Sequence, residues 1–312
     1  MIKFVVKKIL NYLKNKKSKN NAQFISKLLN GNKIRLLDIG AAGGIQEIWS
    51  PYKNNIDPIL FEPHLSSYEI LKKKNYKVIN KGLWIEKKLK HNFFLTKKPE
   101  CSGILEPNYE YLNNFPNPER FKIIKTENIE TTTLDDEFNS KNYPHFIKID
   151  TEGAELKILK GGESILDNVL GLVVECFFFN LHKDQCKFED VKNYLESKNI
   201  QFIDFLNMIR WERHRHSYVG QPQVSDVLFL VPPEKIIEKY NSKKLDLNTL
   251  KIYVTILYVF NRSDLIKVLI EHLDLAMRLN LYLEEAYNLT EKKVKRADFI
   301  AKLYWFYFNW LH

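Results

Sequence analysis

The sequence predicts an α/β domain built on a mostly parallel β-sheet, followed by a helical extension. Three observations lead there. Between residues 34 and 231, short apolar runs such as Leu172–Phe178 alternate with stretches of helical period. Strands that are apolar on both faces belong to parallel sheets covered by helices on each side. The strand signal then stops at Pro232-Pro233, and only helical spacing follows.

The elements follow in order along the chain. Ile2, Val5, Val6, Ile9, Leu10 and Leu13 recur at helical spacing with lysines between them, which reads as a basic amphipathic helix. The polar stretch Lys14–Asn21 is a linker. Residues 1–21 are thus expected to form an arm, 22–232 the α/β domain and 233–312 the extension. Expected strands are Ile34–Ile39, Pro58–Phe61, Lys77–Asn80, Phe93–Thr96, Phe146–Ile149, Leu172–Phe178, Phe202–Phe205 and Val227–Val231. Expected helices include Ser66–Lys74, Glu155–Asp167 and Phe188–Lys198, with Phe121–Thr133 as added extended structure. In the extension, Leu247–Phe260, Ser263–Leu279 and Thr290–Trp310 read as helices broken at Asn261 and Asn280.

Composition narrows the class. Lys plus Arg number 48 against 38 acids. The ten bases before Asp38, with no acid among them, account for the whole net charge of +10. The basic character belongs to the arm and says little about the main domain. Cys101, Cys176 and Cys186 form neither a CxxC pair nor an even set, which argues against a disulfide framework. No apolar run approaches the ~18–20 residues that span a bilayer, and Lys7, Lys8, Asn11 and Lys14 interrupt any signal-peptide core. Secreted, membrane-spanning and collagen-like classes are excluded, and a cytoplasmic protein is expected.

The chemistry begins at Leu36–Gly44 (LLDIGAAGG), a strand running into a small-residue turn. Such a turn lets backbone approach a ligand and offers it N–H groups. Glu62, 24 residues after Asp38, ends the next strand, where a carboxylate can accept both ribose hydroxyls. A turn with an acid serves NAD and S-adenosylmethionine alike. The G-x-G-x-x-G fingerprint of dinucleotide binding is missing, and Asp38 stands where class I methyltransferases use an acid to order the turn. Further along, Phe146–Glu155 (FIKIDTEGAE) is a strand ending in acids, followed by an amphipathic helix.

Six ordered segments carry a family likeness: DIGAAGG, FEPHLSSYEIL, TTTLDDEF, FIKIDTEGAELKILKGG, VVECFF and SDVLFLVP. Through them the chain, from Lys33 to Val231, resembles the FkbM family of S-adenosylmethionine-dependent methyltransferases. The resemblance implies a class I, Rossmann-like fold with a seven-stranded, mostly parallel sheet and the cofactor at the carboxyl ends of its central strands. It also implies O-methylation of a sugar, glycan precursor or other small-molecule hydroxyl. Two positions depart from the family pattern: Ala42 stands where many members have Asn, and Gly43 replaces an apolar residue. The extension after Pro233 lies outside the pattern.

By position, the resemblance assigns Asp38, Gly40, Ala41 and Gly44 to the methionine side of the cofactor and Glu62 to the ribose. Lys81-Gly82-Leu83 flank the adenine, and Asp150 and Thr151 lie beside the methionine amine or the reacting centre. A sugar hydroxyl is a poor nucleophile at neutral pH, so a general base is expected. Asp150, Glu152, Glu175 and His182 are the candidates, and Glu155 is expected to offset the dipole of the helix it opens. Asp150 and Glu175 offer a metal two oxygen ligands without a third, so no tightly bound metal is expected. The cluster Arg210–His216 could grip a phosphate or other acidic group, or simply be a solvated loop.

A nucleic-acid methyltransferase is disfavoured, because Asp150-Thr151-Glu152-Gly153 replaces the Asp/Asn-Pro-Pro-aromatic turn of amino-methylating enzymes and its acids repel phosphate. The rival reading is a catalytically degenerate scaffold that binds a partner or a membrane surface through its helical tail. Expected partners are a small-molecule or glycan acceptor and, for residues 1–20 or 291–312, a membrane surface. A homodimer is the other expectation for the apolar tail Tyr304–Leu311.

Overall fold

The structure, a computed structural model, describes residues 21–139, 141–213 and 220–310, without the side chains of 89, 296, 297 and 299–310. The basic arm, His214–His216 and the side chains of the aromatic tail lie outside the described residues. The chain divides into two compact units. One comprises the described residues of Met1–Lys33, Gln46–Ile56 and Pro233–His312, and the other Ile34–Ile45 and Asp57–Pro232.

Helix α1 (21–29) opens the described chain, with Phe24, Ile25, Leu28 and Leu29 buried at the spacing of one helix face. The strands are β1 (Ile34–Ile39), β2 (Ile56–Phe61), β3 (Lys77–Ile79), β4 (Gly82–Leu83), β5 (Lys88–Thr96) and β6 (Ile123–Thr132). They continue with β7 (Phe146–Ile149), β8 (Gly171–Phe177), β9 (Gln201–Phe205), β10 (Ile209–Trp211) and β11 (Gln221–Leu230). The main sheet has eight strands in the order β3-β2-β1-β7-β8-β11-β10, with β9 also on β11. β2 with β3, β1 with β7 and β7 with β8 run parallel, while β11 is antiparallel to β8. This is the class I methyltransferase arrangement. The count is eight rather than seven because β9 and β10 share the outer edge of β11. The continuously apolar β7 and β8 explain the burial: Ile147, Ile149, Val173 and Val174 are inaccessible to solvent.

The extended structure at 121–133 is β6, which pairs with β4 and β5 in a separate three-stranded sheet. Connecting helices of this unit are α2 (Leu65–Lys73), α3 (Tyr109–Leu112), α4 (Leu134–Glu137), α5 (Glu155–Lys160), α6 (Glu163–Leu166) and α7 (Phe188–Ser197). The single helix expected over 155–167 is two, split at Gly161-Gly162. A Cβ on Gly161 would lie 2.3 Å from the Trp84 carbonyl oxygen, and one on Gly162 would lie 2.7 Å from Leu134. TTTLDDEF serves capping: Thr133 accepts the N–H of Asp136, and Asp135 accepts those of Ser164 and Ile165 at the start of α6.

The other unit continues with α8 (Pro233–Asn241), α9 (Leu247–Val259), α10 (Ser263–His272), α11 (Leu275–Asn280) and α12 (Leu283–Trp310). α9 is buried on nearly every side, and Tyr258 packs on Phe24 of α1 with ring centroids 4.8 Å apart. The helix expected over 263–279 breaks at Leu273, because Asp274 caps a new one by accepting the Met277 N–H at 2.8 Å. No helix of the described residues is long and apolar enough to cross a membrane.

Candidate active site

Sheet register determines which side chains share a face. Asp38 of β1 lies opposite Lys148 of β7, Lys148 opposite Val173 of β8, and Val173 opposite Leu228 of β11. Two residues further along, side chains return to the same face. There Glu175 lies opposite Asp226, and Asp150 follows the end of β7. Asp38, Lys148, Asp150, Glu175 and Asp226 therefore converge at the carboxyl ends of the parallel strands.

Lys148 sits at their centre. Its Nζ lies 3.2 Å from Asp150 Oδ2 and 3.4 Å from Asp38 Oδ1, and it donates to the Gly40 carbonyl at 3.2 Å. Burial alone would lower its pKa, but Asp150 and Asp38 outweigh burial and raise it. No role had been expected for Lys148; a lysine inside the apolar run FIKI was the available signal.

The glycine turn is fitted against this group. Gly40 has φ +76°, and a Cβ there would lie 1.8 Å from the Asp150 carbonyl oxygen. Only glycine lets β1 and β7 end so close together. The N–H groups of Gly40 and Ala41 do not point outward as expected. Both donate to the Phe61 carbonyl, at 3.1 and 3.3 Å, and the Gly44 N–H donates to the Ala41 carbonyl at 2.8 Å. These three bonds hold the turn closed on itself and on β2. Ala42 and Gly43, at its tip, are exposed.

Glu62 follows β2 and is nearly buried; one of its oxygens accepts the His64 N–H at 2.9 Å. Burial pushes its carboxyl up to about 7, against the opposing pull of that bond and of Lys148. Asn80, which had not been singled out, donates to the carbonyls of Glu62 and Pro63 at 2.9 and 3.0 Å and braces this corner. Gly82 and Leu83 are in β4, in the second sheet; a Cβ on Gly82 would meet Ile129 at 2.9 Å and Thr131 at 3.1 Å. Tight packing is thus the observed reason for that glycine.

The loop after β7 is tied by Glu155, whose Oε1 accepts the N–H groups of Thr151 and Gly153 and the Thr151 hydroxyl at 3.0–3.1 Å. Burial raises its carboxyl to about 7. With the loop so drawn in, Glu152 takes φ +58° and Gly153 φ +102°. The Glu152 carboxylate is then only 16 % exposed and lies 3.8 Å from His182 Nε2. Burial first, then the charges of Asp150 and Glu155, push the Glu152 carboxyl well above the carboxylate range. Burial and the charge of Asp150 do the same to Glu175. The His182 ring is wholly buried against Phe121 and Phe177, and burial lowers its pKa to about 4. It is a neutral neighbour of Glu152.

Beyond His182 lies an aromatic wall. Phe121 packs on Trp211 at 5.9 Å, Trp211 on Phe115 at 5.5 Å, and Tyr111 stacks on Phe179 at 5.5 Å. The Arg120 guanidinium lies 4.2 Å from the Trp211 ring centroid. These residues had drawn no attention in the sequence, except Trp211, because they lie in a long insertion and a loop that only the fold brings together. No group of three or more His, Cys, Asp or Glu placed to hold a metal ion occurs among the described residues.

The expected cofactor, S-adenosylmethionine, can be tested against this geometry. It needs backbone at close approach, an acid for the ribose hydroxyls and acids for the amine. Exposed Ala42 and Gly43 at the tip of the turn, buried Glu62, and the Asp38–Lys148–Asp150 group meet those needs. The residues present fit.

Comparison with known protein families agrees. The family model "Methyltransferase FkbM domain" matches residues 38–203. No curated protein matches the sequence. Among solved structures, magnesium protoporphyrin IX methyltransferase from Synechocystis PCC 6803 with bound S-adenosylmethionine aligns at 6 % identity. The alignment covers 68 % of this chain and 78 % of that one, with a TM-score of 0.36. The 1,6-didemethyltoxoflavin-N1-methyltransferase of Burkholderia thailandensis aligns at 7 % identity over 69 % and 78 % of the two chains, with a TM-score of 0.33.

Proposed function

The chain belongs to the FkbM methyltransferase family, and from that premise we propose that its methyl acceptor is a hydroxyl of a sugar, glycan precursor or related small molecule. The observation that carries this reading is Glu152, a carboxylate with a raised pKa held beside the carboxyl ends of β7 and β8. An alcohol gives up its proton more readily to a carboxylate whose pKa is raised than to an ordinary exposed one, which is too weak a base.

When bound, S-adenosylmethionine supplies an electrophilic methyl carbon, whose bond to sulfur breaks as its bond to the acceptor oxygen forms. Glu152 takes the hydroxyl proton on its carboxylate. Neutral His182 lies 3.8 Å away. Asp150, already paired with Lys148, orients rather than deprotonates. Glu62 would accept the ribose hydroxyls, and the exposed tip of the turn, Ala42 and Gly43, would let the cofactor approach the backbone. Trp211 and Tyr111, which are partly exposed, can meet the apolar side of a sugar ring.

The test is incubation of the purified chain with methyl-labelled S-adenosylmethionine and a panel of nucleotide sugars, glycolipid precursors and amines. Label recovered as a methyl ether on a sugar carbon's oxygen supports the reading. Label recovered only on nitrogen overturns it.

A further inference from the structure

Lys148 is a charge in an unexpected place, since it stands among the residues that must receive a cationic cofactor. Among the described residues, the titratable groups facing it are acids: Asp38 from β1, Glu62 after β2, Asp150 after its own strand, Glu175 from β8 and Asp226 from β11. Asp150 is faced in addition by Glu152 and Glu175. A buried carboxylate in such company loses its charge unless a cation compensates it. Within ion-pair distance of both Asp38 and Asp150, Lys148 Nζ is that cation, and its third bond goes to the Gly40 carbonyl. One ammonium group thereby connects the start of the cofactor turn, its acid, and the acid at the entrance to the loop that carries Glu152.

We propose that Lys148 is a positioning residue of the cofactor site: it keeps buried Asp38 as a carboxylate, holds Asp150 by an ion pair and ties the Gly40 turn to the end of β7. The inference rests on the cofactor, not on the identity of the acceptor, so failure of the acceptor assignment leaves it standing. Its signature is a dependence on pH that loss of packing alone would not produce. Without the ammonium group, buried Asp38 loses the cation 3.4 Å away and takes up a proton more readily, so affinity for the cofactor's amine falls as pH is lowered. Glu62 also titrates, and Lys148 lowers its pKa, so the comparison is repeated with Glu62→Gln in every chain, where that contribution is absent and the difference must persist.

The experiment is calorimetric titration of wild type, Lys148→Met and Lys148→Arg with S-adenosylmethionine at pH 8.5 and pH 6.0, after circular dichroism has established folding. For Lys148→Met the loss relative to wild type should be at least about tenfold larger at pH 6.0 than at pH 8.5. For Lys148→Arg, which keeps the charge, the ratio to wild type should be the same at both values, whatever its size. A folded Lys148→Met protein with wild-type affinity, or with an equal loss at both pH values, overturns the proposal. Should Lys148→Met fail to fold, a Lys148→Arg ratio that changes about tenfold between the two pH values overturns it as well.

Discussion

The sharpest structural prediction concerns two glycines three residues apart. Gly40→Ala places a Cβ 1.8 Å from the Asp150 carbonyl oxygen, at a residue with φ +76°. The left-handed conformation costs a non-glycine residue about 1 kcal/mol. Clearing the overlap means moving the two strand ends apart by more than an ångström, since real Cβ contacts essentially never fall below 3.0 Å. That movement strains the Asp150 N–H bond to the Ile39 carbonyl and the Lys148 bond to the Gly40 carbonyl, each worth about 1 kcal/mol or somewhat more. The sum is about 3 kcal/mol, or roughly 6–12 °C in Tm for a domain of this size. Gly43→Ala is the control. A Cβ there meets nothing within 4 Å and needs no unusual backbone, so its Tm should lie within about 2 °C of wild type. Differential scanning fluorimetry of the cofactor-free proteins measures both. Equal Tm values for the two variants would refute the placement of the turn against β7.

Further predictions follow from the carboxyl groups. Glu62 titrates at about 7, and its ionised form is the better acceptor for two hydroxyls, so affinity for S-adenosylmethionine should rise with pH through about 7. Calorimetry should find that rise lost in Glu62→Gln; an unchanged rise assigns it elsewhere. Glu155 is raised to about 7, so between about 4.5 and 7 the folded chain holds a proton that the unfolded chain releases. Its contribution to stability therefore declines as pH rises across that window, by up to about 3 kcal/mol. Tm of Glu155→Gln should accordingly decline less with pH than that of wild type between pH 5 and 7. Glu152→Gln should lower methyl transfer at least about 100-fold while leaving S-adenosylmethionine affinity within about threefold. With wild type the rate should climb with pH to a plateau above the usual carboxylate range, in step with the raised pKa of Glu152; a climb centred near 4 would exclude Glu152 as the base.

What could be read in advance depended on how local its cause was. β1 and β7 begin and end where apolar periodicity places them, because strand boundaries at Ile39 and Ile149 are marked by the turn and the acids that follow. The acids after the strands were legible for the same reason. The split between α5 and α6 was not, because Gly161 and Gly162 are dictated by Trp84 and Leu134, which are remote in sequence. The packing of Gly82 was not legible either: its neighbours Ile129 and Thr131 belong to a strand some 50 residues away in the sequence. The free N–H groups expected of the glycine turn are consumed by the Phe61 carbonyl, a bond that exists only because β2 lies beside β1. Lys148 and the approach of Glu152 to His182 are products of register and of a positive-φ turn, neither of which a linear pattern displays.

The most direct test of the account is calorimetric titration of the purified wild-type chain with S-adenosylmethionine, with NAD as the comparison ligand. The account predicts saturable one-to-one binding of S-adenosylmethionine and none of NAD. A folded chain that binds neither, or that binds NAD alone, would contradict it.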